Sequence, residues 1–337
     1  MRALFIGGTG TISTAVSRLA IEKGWELALL NRGNRTEMIP EGAKILQADI
    51  ADTEKVRDLI RDLQFDVVAD FIAYVPQHVE RDIALFSGKT RQYIFISSAS
   101  AYQKPLSCFR ITESTPLANP YWEYSRNKIA CEERLMQEYR TNGFPVTIVR
   151  PSHTYSETSI PLGIHGKGSW SVIDRMLKGK PVIIHGDGTS LWTLTHSSDF
   201  AKAFLGLMGN PAAIGHPFHI TSDEALTWDQ IYDRVGDALG VPVKKFHVAT
   251  DFLIECDPAY EGSIKGDKAV SVIFDNSKIK RIVPDYKATV RFDQGVRLSI
   301  QYLLSHPELQ VPDPVFDSFC DRVIAAQQKA LEFFKTL

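Results

Sequence analysis

The sequence predicts an α/β fold: a doubly wound parallel sheet joined to a smaller mixed α/β lobe. Three observations carry that prediction. Apolar runs of strand length alternate with amphipathic stretches of helix length through residue 152, the rhythm of βαβ units. Several runs are apolar nearly throughout, as in strands covered on both faces. The first run ends in a glycine turn that opens the first helix, "FIGGTGTISTA", which makes the expected sheet Rossmann-like.

The elements follow in order. "RALFIGG" is a short strand entering the glycine turn. "TISTAVSRLAIEKG" is a helix, with Ile12, Val16, Leu19 and Ala20 on one stripe and Gly24 as its stop. "WELALLN" and "KILQAD" are the second and third strands, and "TEKVRDLIRDL" is a helix. "FDVVADFIAYV" is the fourth strand running into a loop. "VERDIALFSG" is a helix, "TRQYIFISS" the fifth strand, Tyr124 to Tyr139 a helix and "PVTIVRPS" the sixth strand.

After Pro151 the pattern loosens. "GKPVIIHGDGTSLWTLTH" reads as short strands paired about a Gly-Asp-Gly turn. "SSDFAKAFLGLMGN" is helical, "HPFHITS" is a strand, and "TWDQIYDRVGDALG" is an amphipathic helix capped by Thr227. Further helices are expected near Asn276–Ile282, Phe292–Ser305 and Ser318–Phe334. Residues 1–155 are expected to form the nucleotide-binding and catalytic region. Residues 156–337 form mainly a substrate lobe, with segments around 190–225 returning to the first region.

Composition sets bounds. The 337 residues carry a net charge of −2, which does not favour a broad nucleic-acid footprint. The N-terminus lacks the apolar core and cleavage site of a signal peptide. No run reaches the roughly 18 apolar residues of a membrane span. Cys108, Cys131, Cys256 and Cys320 form no CxxC or metal-finger spacing, so structural thiols and no metal site are expected. A cytoplasmic protein off the membrane is the resulting expectation.

Gly7, Gly8, Thr9, Gly10, Thr11 and Ile12 lie where a strand becomes a helix. Glycines allow the tight turn and close approach to a pyrophosphate, and the helix start supplies free N–H groups. "YWEYSRNK" puts Tyr124 and Lys128 four residues apart on one helical face. A phenol is a poor base near pKa 10, and a neighbouring ammonium is expected to lower it. The same lysine suits ribose hydroxyls. In "IFISSASAY", Ser98 is the candidate partner of a reacting oxygen, while Ser97 and Ser100 suit turn bonds. Tyr121 is a local rival for a hydroxyl facing the substrate.

With "GGTGTIS", "ISSASAY", "YSRNK", "RPSHTY", "IHGDGTSLWTLTHSSDFA" and "FHITSDEALTW", the chain resembles the extended short-chain dehydrogenase/reductase superfamily, in particular its NAD(P)-dependent epimerase/dehydratase branch. The resemblance covers nearly the whole chain. It implies a catalytic triad of Ser98, Tyr124 and Lys128. It places Pro151, Ser152 and His153 beside the nicotinamide, Asp49 and Ile50 by the adenine, and Phe71, Ile72 and Ala73 along the middle of the cofactor. Tyr155 would begin the substrate-side loop, and His196 and Asp199 would support the fold. It also implies reversible hydride transfer on a sugar, nucleotide-sugar or polyol, by an epimerase or a carbonyl reductase. Related enzymes often form homodimers, for which Ile129, Leu135, Met136 and Tyr139 offer packing material. Rival readings are a reductase of non-sugar carbonyls and a cofactor-binding regulatory or RNA-binding protein.

The chain departs from the family pattern at several points. Ser13 replaces a helix-packing glycine. "TSLWTLT" lacks the basic residue many sugar-nucleotide enzymes place near the diphosphate, leaving Arg175 and Lys178 as substitutes. The remaining substrate candidates are Ser98, Ser100, Tyr121 and Tyr155. No Asp-Glu pair follows Ser98, which argues against 4,6-dehydration. Asn31 stands where an acid usually receives the NAD ribose, with Arg32 and Arg35 beside it. A missing acid and two guanidiniums favour a 2'-phosphate, so NADP is expected over NAD.

Overall fold

Seven strands build one parallel sheet: β1 (Arg2–Ile6), β2 (Glu26–Asn31), β3 (Lys44–Gln47), β4 (Val67–Asp70), β5 (Tyr93–Ile96), β6 (Val146–Pro151) and β7 (Pro217–Ile220). Their order is β7-β6-β5-β4-β1-β2-β3 in a computed structural model that describes residues 1–337. The chain leaves β1 toward β2 and β3, then crosses back to β4 on the other side of β1. That reversal opens a crevice at the strands' C-terminal ends, where ligands of such sheets bind.

The strand period of two divides the apolar residues between the faces. Phe5, Leu29, Ala69 and Ile94 meet Val16 and Ala20 of α1 (Thr11–Glu22) and, later in the chain, Phe200 and Phe204 of Ser197–Leu207. Leu4, Leu30, Val68 and Phe95 meet the opposite layer. That layer holds Val56 of α2 (Thr53–Leu59), Val79 and Ile83 of α3 (Pro76–Phe86), and Cys131 and Leu135 of α4 (Glu123–Asn142). Met136 and Tyr139 pack against this same cluster, so three of the four side chains considered for a homodimer serve the chain's own core.

A third core sits beyond the sheet. It joins α5 (Trp170–Leu177), through Trp170 and Ile173, to α7 (Trp228–Leu239), through Trp228 and Tyr232. The segment between them supplies α6 (Ser197–Leu207) and β7, and β7 pairs with β6, Phe218 opposite Val149. Thr227 caps α7 by accepting from Gln230 N at 3.1 Å, and Gln230 Oε1 accepts from Thr227 N at 2.9 Å.

Two expectations are corrected. The strands within residues 179–196 do not pair with each other. Val182–His185 pairs in parallel with Lys245–Val248, Leu191–Trp192 with Leu226–Thr227, and Leu194–His196 in parallel with His153–Tyr155. The Gly-Asp-Gly turn is held instead by α7, whose Asp229 N donates to Gly188 O at 2.9 Å. The last helix begins at Pro314, not Ser318. Asp313 caps it by accepting from Phe316 N, and Pro314 occupies the first turn, where no N–H is needed. No helix is long and apolar enough to cross a membrane. The four cysteines are free, and no cluster of three metal-binding side chains occurs.

Candidate active site

The glycine turn forms one wall of a cavity of about 680 Å³ over the crevice between β1 and β4. Gly7 has φ +79°, and a Cβ there would lie 2.4 Å from Ile72 Cγ2. Only glycine satisfies both the angle and the approach. Ser13 is more than a small stand-in. Its Oγ donates to Gly7 O at 2.7 Å and accepts from Gly10 N at 2.8 Å, bracing both ends of the turn. Ser17 Oγ donates to Gly8 O at 3.1 Å.

Asn31, Arg32, Arg35, Asp49, Ile50 and Ile72 line this cavity with Thr9 and Gly10. Asn31 Oδ1 accepts from Gly8 N at 3.2 Å, while its buried Nδ2 has no partner. Thr11 opens a neighbouring hollow against α6, and Ile12 packs into the α1 layer. Phe71 turns away, its ring 5.4 Å from that of Phe5 and 5.5 Å from that of Phe204.

Beneath the Phe71–Ala73 segment lies a charged cluster that the sequence reading missed. Asp70 accepts from Ile72 N at 2.6 Å and Ala73 N at 2.9 Å. Arg81 reaches Asp70 and Asp82, and Tyr93 Oη donates to Asp82. Burial, with the Asp82 charge adding to it, holds the Asp70 carboxyl well above its usual range. These bonds fix the loop whose Ala73 carbonyl accepts from Lys128 Nζ at 2.6 Å.

The three candidate catalytic residues converge at the end of β5. Lys128 is 1% exposed, and its Nζ also donates to Ile96 O at 2.7 Å. Ser98 Oγ lies 2.8 Å from Ser100 Oγ, which accepts from Ser125 Oγ. Ser97 points elsewhere and donates to Glu132, itself paired with Arg150. Burial pushes the Tyr124 phenol up to about 12, against the opposing pull of the Ser98 hydroxyl. Burial also lowers the Lys128 ammonium to about 8. The expected lowering of Tyr124 by Lys128 is therefore corrected. Lys128 Nζ stands 5.7 Å from the Tyr124 ring centre and bonds two carbonyls, so desolvation outweighs the charge.

Ser98, Ser100, Tyr124, Pro151, Ser152 and His153 line a second pocket, of about 250 Å³. His153 Nδ1 accepts from Trp192 Nε1 at 3.2 Å, and burial holds the imidazole well below its ordinary pKa. The far wall brings Lys104, Trp122, Asp267 and Lys268, none of which the sequence reading singled out. Asp267 and Lys268 end a π-helical segment, Glu261–Lys268, marked by the bond from Ala269 N to Ile264 O. Asn119 anchors that segment: its Nδ2 donates to Ser100 O at 2.8 Å and Gly266 O at 2.7 Å.

Three substrate candidates lie outside this pocket. Tyr121 faces Lys265, whose Nζ is 5.6 Å from the ring centre. Tyr155 is 1% exposed and packs edge-on against His196 and Phe292. Arg175 is also 1% exposed and binds Asp317, Asp321 and the Pro181 carbonyl, fastening α5 to the C-terminal helix Pro314–Phe334. Lys178 is exposed and pairs with Asp174. His196 Nδ1 lies 2.7 Å from Ser198 Oγ, and Asp199 Oδ2 accepts from Thr289 N and Val290 N.

A family model described as the NAD dependent epimerase/dehydratase family matches residues 3–221. The chain belongs to the NAD-dependent epimerase/dehydratase family. Among its relatives, 2'-dehydrokanamycin reductase of Streptomyces kanamyceticus is 25% identical over 288 residues, covering 85% of this chain and 80% of that protein. Chloroplast stem-loop binding protein of 41 kDa b of Arabidopsis thaliana is 28% identical over 255 residues, 72% of this chain and 64% of that protein. The solved UDP-glucuronic acid 4-epimerase of Bacillus cereus in complex with NAD shares the family fold at TM-score 0.73 and 17% identity, covering 92% of this chain and 98% of the other.

The expectation of NADP over NAD is overturned. Five solved structures of this fold, among them dTDP-glucose 4,6-dehydratase of Bacillus anthracis and UDP-glucose 4-epimerase of Thermus thermophilus, hold NAD. Asn31 is committed to the glycine turn through its oxygen, and its Nδ2 is buried without a partner. Arg32 and Arg35 are exposed, and Arg35 Nη1 leans back on Thr9 O at 3.5 Å. Both line the cavity from an exposed loop.

Proposed function

We propose that the chain is an NAD-dependent epimerase or carbonyl reductase that acts on a sugar, nucleotide-sugar or polyol by reversible hydride transfer. The observation that carries this reading is the convergence of Ser98, Tyr124 and Lys128 at the mouth of the crevice behind the glycine turn. The cradle suits a dinucleotide: Gly7, Thr9 and Gly10 line a cavity of about 680 Å³ at the start of α1, and the Asn31 Nδ2 donor lacks a partner. NAD bound there supplies and takes back a hydride.

Ser98 Oγ orients the reacting oxygen. Tyr124, held protonated by burial, gives its proton to that oxygen as the carbonyl is reduced, and recovers it in the reverse direction. Lys128 would hold the ribose hydroxyls of a bound cofactor with its remaining ammonium donor, its Nζ standing 5.7 Å from the Tyr124 ring centre. Ala99 and Ser100 follow Ser98, so the acid–base pair needed to eliminate water is missing there. That favours epimerisation or net reduction over dehydration.

The test is NAD(H)-linked turnover of the full chain on sugars and polyols, with NAD binding measured separately. Tyr124→Phe is expected to lower turnover by about 10²–10⁴-fold while NAD binding persists. Unchanged turnover refutes the assignment. The stem-loop-binding relative supports one other reading, RNA binding on the same fold. Retention of a structured RNA by Tyr124→Phe and by NAD-saturated protein would favour it.

A further inference from the structure

The pocket beside Tyr124 holds a buried cation that forms no ion pair. Lys104 is 4% exposed. Its Nζ makes one hydrogen bond, to the Asp267 carbonyl at 3.2 Å, and no ion pair. An ammonium has three donors, and burying it with one neutral partner is costly. Lys268 stands on the same wall, its Nζ 6.0 Å from the Trp122 ring centre and 3.4 Å from Asp267 Oδ2. The wall thus presents two ammonium groups against one carboxylate, and that carboxylate leans toward Lys268. Burial lowers the Lys104 pKa and the Lys268 charge adds to the shift, outweighing the opposing pull of Asp267.

We propose that Lys104 selects substrates whose reacting sugar unit carries an oxyanion, a carboxylate or a phosphate, and that Lys268 reinforces the selection. This deepens the reading of the site as one that handles sugars, and rests on it. The pocket's volume of about 250 Å³ limits the group beside Tyr124 to one sugar unit, since sites for larger ligands run to ~300–1,000 Å³. An oxyanion there completes the hydrogen bonding of Lys104 and offsets its buried charge. The same wall disfavours amino sugars, whose ammonium would face two others.

The test is calorimetric titration of the NAD-loaded full chain with glucose, glucosamine, glucuronate and glucose phosphate. At least one anionic sugar is expected to bind tenfold or more tightly than glucose, and glucosamine more weakly than glucose. Which anion wins decides between carboxylate and phosphate. Lys104→Met is expected to erase the anionic advantage. Asp267→Asn is expected to enlarge it by removing the opposing charge, and it provides an independent reading if Lys104→Met fails to fold. Equal affinity for neutral and anionic sugars, no binding of either anion, or an advantage unchanged in Lys104→Met overturns the proposal. Turnover separates this inference from the functional reading: charge-selective binding with neither epimerisation nor NAD(H)-linked oxidation or reduction of any sugar or polyol sinks the second and leaves the first.

Discussion

Ser13→Ala tests whether the glycine turn is held by one hydroxyl. Ser13 is 1% exposed and bonds Gly7 O at 2.7 Å and Gly10 N at 2.8 Å. Each such bond contributes a net ~0.5–1.5 kcal/mol, so losing both costs about 1–3 kcal/mol. Alanine returns roughly 0.5 kcal/mol through better helix propensity. The expected net loss is about 0.5–2.5 kcal/mol, a factor of about 2–70 in the folding equilibrium. The freed Gly10 N–H no longer has a fixed direction, so NAD affinity should fall with stability. The measurements are urea denaturation and calorimetric NAD titration. Ser13→Gly restores the residue usual in the family, yet should be worse than alanine by ~1 kcal/mol because glycine weakens the helix. Wild-type stability and NAD affinity in Ser13→Ala, or improvement in Ser13→Gly, would refute the bracing role.

Arg175→Met should lower stability by about 1–3 kcal/mol without changing KM, read by urea melts and kinetics, because its aspartate partners are partly exposed and Lys180 still pairs with them. A raised KM at wild-type stability would return Arg175 to the substrate. Asn31→Asp keeps the acceptor for Gly8 N–H and should hold NAD within a few-fold of wild type by calorimetry; a loss beyond tenfold would contradict that bond. Lys128 has its pKa lowered from 10.5 to about 8, so between those values the unfolded chain holds a proton that the folded one releases. Its stability penalty is present below about 8 and relieved as pH rises toward 10.5. Urea midpoints at pH 8 and pH 10 should therefore rise more in wild type than in Lys128→Met, and parallel profiles would count against the shift.

The sheet was legible because its evidence is local. Each strand and its following helix carry their own period, and a glycine turn at the first junction fixes the sheet type. Tyr124 and Lys128 were legible for the same reason, since spacing alone puts them on one helical face. Partners drawn from distant chain were not. Nothing near Val182–His185 reveals that Lys245–Val248 will pair with it, and the adjacent turn suggests a hairpin instead. Arg175 shows the same limit. Its neighbours describe a basic residue on a helix, while Asp317 and Asp321, which bury it, lie more than a hundred residues away.

The cofactor error has a different cause. In sequence, a missing acid at Asn31 beside the guanidiniums of Arg32 and Arg35 suits a phosphate. Charge sign is set by sequence, but charge direction is set by what each group already bonds. Asn31 spends its oxygen on Gly8, and Arg35 leans on Thr9. The substrate pocket shows the converse. Lys104 sits beyond the serine motif, Asp267 and Lys268 on a π-helical segment about 160 residues later. Asn119 joins these parts by donating to Ser100 O and Gly266 O at once. One buried amide therefore sets the distance between the candidate proton donor and the charged wall. Reaction chemistry is written in contiguous motifs on the sheet, whereas substrate choice depends on a contact between two segments that only the fold brings together.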